Sequence, residues 1–359
     1  MKRLNQILLV LLAVIVVNCT QGKSRNHSSK ISESHKTCTF TNPVGKGQDP
    51  WVIKHNGYYY FIESKNGGIY ISKNKKLTQI KKNEKLVWKP PAQGWNHANI
   101  WAPELHYINS HWFIYYAAAK KAGSPFIYQR SGVLEARTAN PQGSYKDMGM
   151  LYTGNHIRSH KNNIWAIDLT VTRIHNQLYA IWSGWKQNEQ TDKTPQNLYM
   201  AKMKNPWTIS SNRVVISEPK AKWELGPQLN LEEGPEVLKH AGHIFIIYST
   251  RDSWLRTYCL GQLELKNKDE NPMVAQNWTK KGPVFKGTNN VYGTGHASFT
   301  TSPDGTQHWI IFHSKVDTTP GWNREIDMKH FTWNTDGSPY FGIPVPPGKS
   351  IKVPSGQCK

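Results

Sequence analysis

Three acidic residues far apart in this chain, Asp49, Asp168 and Glu233, each head a similar stretch of sequence. A carboxylic acid and a carboxylate brought to one bond can protonate the leaving oxygen and activate water, which is acid–base hydrolysis. Two like side chains take opposite roles when the more desolvated one stays protonated near neutral pH. The fold must then gather positions that lie tens of residues apart.

The stretches themselves indicate how. DPWVIKHNGYYYFIES begins at Asp49, WAPELHYINSHWFIYYAA at Trp101, DLTVTRIHNQLYAIWSGW at Asp168, EGPEVLKHAGHIFIIYST at Glu233 and HASFTTSPDGTQHWIIFHS at His296, starts that are 52, 67, 65 and 63 residues apart. Each has an apolar run, a polar turn at Asn56-Gly57, Asn109-Ser110, Asn176-Gln177, Ala241-Gly242 or Asp304-Gly305, and a second run rich in Tyr, Trp, Ile and Phe. That is the pattern of a β-hairpin. One small sheet cannot bury both its faces alone, so repeated hairpins at this period predict radial blades closed into a ring. The expected fold class is all-β, a five-bladed β-propeller, with the head of each repeat converging on the axis.

Composition agrees. The 359 residues include 15 Trp, 16 Tyr, 27 Gly and 21 Pro, which suits strands and tight turns. No sustained 3.6-residue apolar period follows the N-terminus, so helix should be scarce. No Pro/Gly/Ser-rich linker divides the chain, which predicts one domain over 41–359 and a monomer.

The N-terminus has a different logic. Lys2 and Arg3 precede an apolar core from Ile7 to Val17, and Cys19 follows Asn18. This predicts a signal peptide over 1–18 of the bacterial lipoprotein type, with an acyl chain on Cys19 as the membrane anchor, although Asn18 is larger than the usual residue before such a cysteine. The apolar run is short for a retained transmembrane helix. Residues 19–40 are polar and read as a flexible tether. Export permits disulfides, and a closed ring brings the chain ends together, so Cys38 and Cys358 are candidates for a clasp. Cys259, within an apolar run, reads as a small core residue. No C-x-x-C pair suggests zinc.

A net charge of +21 raises nucleic acid as a partner. The lysines are spread through segments such as Lys73 to Lys89, Lys120-Lys121 and Lys280-Lys281 without a nucleic-acid-binding motif. The surface reads as solvated and basic, with attraction to acidic polysaccharide or an anionic membrane as the weaker functional reading.

In order and approximate spacing, QDPWVIKHNGYYYF, NIWAPELHYINSHWFIYYAA, AIDLTVTRIHNQLYAIWSGW, EEGPEVLKHAGHIFIIYS and YGTGHASFTTSPDGTQHWIIFH resemble the family 43 glycoside hydrolases over about residues 42 to 347. The resemblance implies a five-bladed propeller and an inverting mechanism on an oligo- or polysaccharide. Asp49 matches the general base, Glu233 the general acid and Asp168 the carboxylate that tunes and orients the acid. Glu232 and Glu236 are rivals for the acid, but on a regular strand both point away from the face of Glu233. His296 matches a channel histidine that in relatives holds a hydrated calcium ion or tunes the site, so no cofactor is required and calcium is the one candidate metal. Trp101, Glu104 and Trp185 are expected to face the sugar, by stacking and by accepting hydroxyl hydrogen bonds, with packing at the axis as the alternative. Arg324 is available to pair with an acid. Asp327 stands where relatives often carry a basic residue.

The wording WSGW, EGPEVL and GTGHASF looks closest to exo-acting α-L-arabinofuranosidases. A β-xylosidase or endo-arabinanase of the same family is the alternative within the class, and a non-catalytic glycan-binding propeller the alternative outside it.

Overall fold

The computed structural model describes residues 38–358, so the predicted signal peptide, the acylated Cys19 and most of the tether lie outside the described residues. The compact body begins at Cys38, and residues 38–40, taken above with the tether, are part of it. Among the described residues there is no α-helix, only short 3-10 turns at Leu77–Gln79 and Ala275–Asn277, and no helix is long and apolar enough to cross a membrane.

The strands form five antiparallel blades. Blade I comprises Trp51–His55, Tyr58–Lys65, Gly68–Asn74 and Glu84–Trp88, and blade II Ala98–Ile108, His111–Ala119, Arg130–Ala136 and Tyr145–Met150. Blade III runs Ala166–Ile174, Gln177–Gly184 and Asn197–Asn205, edged by Thr208–Ile209 and Val214–Ser217. Blade IV comprises Glu232–His240, His243–Thr250, Cys259–Leu265 and Trp278–Lys286. Blade V has Tyr292–Thr301, His308–Lys315 and Arg324–Trp333, and takes its outer strand, Gly45–Lys46, from the start of the chain.

The turn chemistry explains the hairpins. Asn56-Gly57, Asn109-Ser110 and Ala241-Gly242 have positive φ at both central residues, the geometry that matches strand twist and that Asn and Gly adopt at least cost. The blade III turn sits one residue earlier than expected, at His175-Asn176, because Ile174 pairs directly with Gln177.

Second strands such as YYYFI and WIIF lack the alternation of a half-exposed sheet because both faces are covered. Tyr60 and Ile62 enter a core with Ile114 and Leu134 of blade II. Their neighbours Tyr59 and Phe61 point to the opposite face, into a core with Trp309 and Ile311 of blade V. Ile310 and Phe312 of that same strand meet Phe245 and Ile247 of blade IV. The strand period of two thus divides each apolar run between two inter-blade cores, and the ring stands only when every blade has both neighbours.

Ring closure rests on three links. Gly45–Lys46 pairs with Ile326 and Glu325, Thr39–Thr41 pairs with Ser350–Lys352, and Cys38 is disulfide-bonded to Cys358 with Cα atoms 6.0 Å apart. In the chain-entropy model, closing a loop of 320 residues removes about 5–6 kcal/mol of denatured-state freedom. A Cys38→Ser protein should therefore melt at a clearly lower temperature than the oxidised parent in scanning calorimetry, and reducing the parent should reproduce the drop. Equal midpoints would show that the strand pairing holds the ends without the bond.

Candidate active site

Each innermost strand is kinked at the same place. Asp49, Ala102, Asp168, Gly234 and His296 have φ of 48°, 40°, 52°, 55° and 44°. In blades II to V the strand register breaks there, between Trp101 and Glu104, Ile167 and Thr170, Glu233 and Glu236, and Gly295 and Ser298. A left-handed non-glycine residue costs on the order of 1–3 kcal/mol and persists only where its surroundings hold it. At Gly234 a Cβ would also come within 3.1 Å of the His296 ring, so a larger residue there would add crowding to the backbone strain.

The kinks turn the heads of the repeats into one cleft of about 770 Å³ that contains Asp49, Asp168, Glu233, His296 and Arg324. Trp101 lines it, as expected, together with Phe126, Trp165, Trp254 and Trp322. The equivalences differ in detail. Asp49 and Asp168 occupy the left-handed position, whereas Glu233 stands one residue before it, level with Trp101 and Ile167.

Asp49 is held by a guanidinium and two imidazoles. Its Oδ1 lies 3.4 Å from Arg324 Nη1 and 3.3 Å from His296 Nδ1, and its backbone N–H donates to His313 Nδ1 at 3.2 Å. Burial works against its ionisation, but His296, His313 and Arg324 outweigh it and hold the carboxyl well below the usual range. Burial pushes His313 down to about 3 and lowers His296 as well. Both rings thus give up their protons more readily than a free imidazole, and Arg324 is the permanent cation beside Asp49.

Glu233 is poised the other way. Burial, reinforced by Asp49 and Asp252, raises it to about 7 against a hydrogen bond from the Tyr258 hydroxyl and the charge of Arg324; that hydroxyl donates to Oε1 at 2.7 Å. Asp168 is raised by burial and then by Glu233 and Asp49, while Gly234 N–H donates to its Oδ2 at 3.1 Å. Asp168 and Glu233 repel one another, so together they bind a proton more tightly than either would alone.

Other expected positions fall elsewhere. Glu104 lies below the cleft, buried, with His106 Nε2 2.8 Å from its Oε2. Burial raises its pKa, and so does the nearby Glu236. Glu236 therefore faces the axis, contrary to regular alternation, because the bulge after Glu233 adds a residue. Glu232 does point away, toward the junction of blades III and IV, where Ser217 of the first and Lys280 of the second bond its Oε1 at 2.7 and 2.6 Å. Trp185 is fully buried and stacks on Trp165 at 4.5 Å, backing a ring that lines the cleft. Asp327 is buried within blade V, where the Ser314 hydroxyl donates to it at 2.8 Å. Among the described residues no group of three or more His, Cys, Asp or Glu side chains is gathered to hold a metal. His296 turns Nδ1 to Asp49 at 3.3 Å.

Tyr258, His313, Phe126, Trp165, Trp254 and Trp322 were not singled out from sequence. Trp165 carried a usable signal, standing three residues before Asp168 as an aromatic at the head of a repeat. The others lie in segments with no repeat pattern or, for His313, at the far end of a second strand.

An ionised carboxylate, a carboxyl with a raised pKa and a third acidic group in one aromatic-walled cleft are the groups that acid–base cleavage of a glycosidic bond needs. Residues 40–339 match the model of glycosyl hydrolases family 43, and the chain belongs to that family. It is 33% identical over 364 residues to the extracellular exo-α-(1→5)-L-arabinofuranosidase of Streptomyces avermitilis, covering 97% of this chain and 72% of the relative. It is 32% identical to α-L-arabinofuranosidase 43 of Humicola insolens, covering 84% of this chain and 62% of the relative. Among solved structures, α-L-arabinofuranosidase from Lactobacillus brevis superposes with a TM-score of 0.78 at 30% identity, over 86% of this chain and 98% of that one.

Asp49→Asn and Glu233→Gln should each lower kcat by about 10²–10⁴, the usual worth of a positioned acid or base. Because the acid must be protonated, activity should fall as pH rises through about 7. Asp168→Asn removes the repulsion that helps retain the proton, so this alkaline limb should move to lower pH in kcat/KM profiles. A limb left in place, with only the rate reduced, would show that Asp168 does not tune the acid.

Proposed function

We propose that this chain is an exported, exo-acting α-L-arabinofuranosidase that inverts configuration by direct displacement. Asp49, ionised by Arg324, takes a proton from water as that water attacks the anomeric carbon, and Glu233 gives its proton to the departing oxygen. Asp168 keeps that proton on Glu233 until the bond breaks. The names of the relatives support the sugar, and the extracellular designation of the Streptomyces avermitilis relative supports export. The disulfide between Cys38 and Cys358 agrees with an oxidising compartment. Acylation at Cys19 remains our reading of the N-terminal sequence.

The observation that carries exo action is the mouth of the cleft. Trp322 of the blade V loop meets Phe126 of blade II at 6.5 Å and Trp254 of blade IV at 6.0 Å. Lys193 of blade III lies over Trp254 at 4.3 Å. The adjacent Asp192 accepts the Phe126 N–H at 3.0 Å and the Ser124 hydroxyl at 3.3 Å. Loops from four blades thus arch over the opening, and a terminal sugar fits such a pocket better than an unbroken chain. Trp322 is 54% exposed, an apolar surface that a sugar face would cover.

Turnover of p-nitrophenyl α-L-arabinofuranoside should far exceed that of the β-xyloside, and linear arabinan should release monosaccharide only. Preference for the xyloside would overturn the sugar assignment, and glycan binding with no turnover of any of them would favour the binding-module alternative. Trp322→Ala should lower kcat/KM on the arabinofuranoside about tenfold, as expected for one lost aromatic stack, and should let longer products appear from arabinan. A product pattern still limited to monosaccharide would place the exo constraint elsewhere.

A further inference from the structure

Beside the cleft, on the blade IV rim, lies a second recess of about 380 Å³ lined by Arg251, Arg256, Thr257 and Thr318, with Gly226 and Leu255. Its size falls within the range of small-molecule sites, roughly 300–1,000 Å³. No acidic side chain lines it, and among the described residues neither arginine belongs to a salt bridge. Arg251 has a φ of 72°, a conformation that an arginine holds only under constraint. Its Nε is buried without a partner, and its Nη1 makes one long bond, 3.4 Å, to the Trp223 carbonyl. Arg256 rests over the Tyr292 ring at 5.4 Å. Two guanidinium groups with spare donors beside two hydroxyls are the recognition chemistry of an anion, and the nearby Asp252 carboxylate is buried behind the Gly226 wall and does not line the recess.

One loop joins this recess to the catalytic carboxyls. Arg251 and Arg256 bracket Ser253, whose carbonyl accepts Arg324 Nη2 at 2.7 Å, and Trp254, which faces the cleft. Tyr258, two residues on from Arg256, donates to Glu233. We propose that the recess is an accessory subsite for the carboxylate of a hexuronate, so that the enzyme recognises arabinofuranosyl units on acidic polysaccharide. This rests on the reading of the neighbouring cleft as a saccharide site. It also gives the net charge of +21 a use, since a basic surface concentrates a polyanionic substrate before the recess sorts it.

The test is calorimetry on the Asp49→Asn protein, in which turnover should be slow enough to read binding, using trigalacturonate and neutral arabinotriose as probes. Arg251→Gln and Arg256→Gln, each added to that background, should weaken trigalacturonate about tenfold or more, as expected for a lost charge-assisted bond. Arabinotriose binding should be unchanged, and trigalacturonate should weaken further as sodium chloride rises. In the active protein the same two substitutions should leave p-nitrophenyl arabinofuranoside turnover at the parent rate. Equal trigalacturonate affinity in parent and both variants would overturn the proposal, as would tighter binding of a sulfated galactan trisaccharide, which would assign the recess to sulfate esters. Arginine-dependent trigalacturonate binding in a protein inactive on every arabinoside would sink the arabinofuranosidase reading and leave this one standing.

Discussion

The contact between Arg324 and Asp49 is where chemistry and architecture meet. Residues 275 positions apart in sequence are joined there at 3.4 Å, one on blade V and the other at the head of blade I. The contact exists because Gly45–Lys46 pairs with the strand that begins at Arg324, and because the Gly47 N–H donates to the Arg324 carbonyl at 3.2 Å. The strand that closes the ring therefore delivers the base to its cation within a few residues. Closure is a condition of ionising Asp49 and not only of stability. The disulfide and the Thr39–Thr41 pairing lie behind this strand and guard the same register.

With one guanidinium beside three carboxyl groups, the site sorts its own protonation. Asp49 touches the guanidinium and stays ionised. Glu233 and Asp168 feel Arg324 less than their own burial and the charge of neighbouring carboxylates, and their pKa values rise. A second cationic side chain at the floor would lower both and leave no proton to donate. The lowered pKa values of His296 and His313 follow the same logic, since burial disfavours a charge that would over-stabilise the carboxylates. Asp327 is buried in blade V against Ser314 and does not disturb this balance.

Much of this was legible in sequence because it is local. The apolar runs, the Asn-Gly type turns and the acidic heads of the repeats are written within about twenty residues each, and they suffice for blades, ring and the convergence of Asp49, Asp168 and Glu233. The roles of Glu104, Glu236 and Trp185 were not legible, since they depend on the bulge in each inner strand. One extra residue reverses which face a side chain takes. Pro follows the left-handed residue in blades I, II and IV, but Leu169 and Ala297 follow it in blades III and V, so no common residue type marks the kink. Tyr258, His313 and the arch of Trp322, Phe126 and Trp254 depend on loops from different blades meeting in space, which no local pattern encodes.

The five left-handed kinks explain why such a site sits on a propeller axis. Each is locally unfavourable, and a lone hairpin would relax it by slipping register. Here slippage would move Tyr59 and Phe61 into the blade II core, and Tyr60 and Ile62 into the blade V core, exchanging every partner at two interfaces at once. The apolar packing on both faces of each blade thus fixes the backbone at its inner end, where no side-chain packing could. That rigidity keeps Asp49 and Glu233 at a set separation, as the single displacement proposed for them requires, and leaves the loops outside the ring free to shape which sugar reaches them.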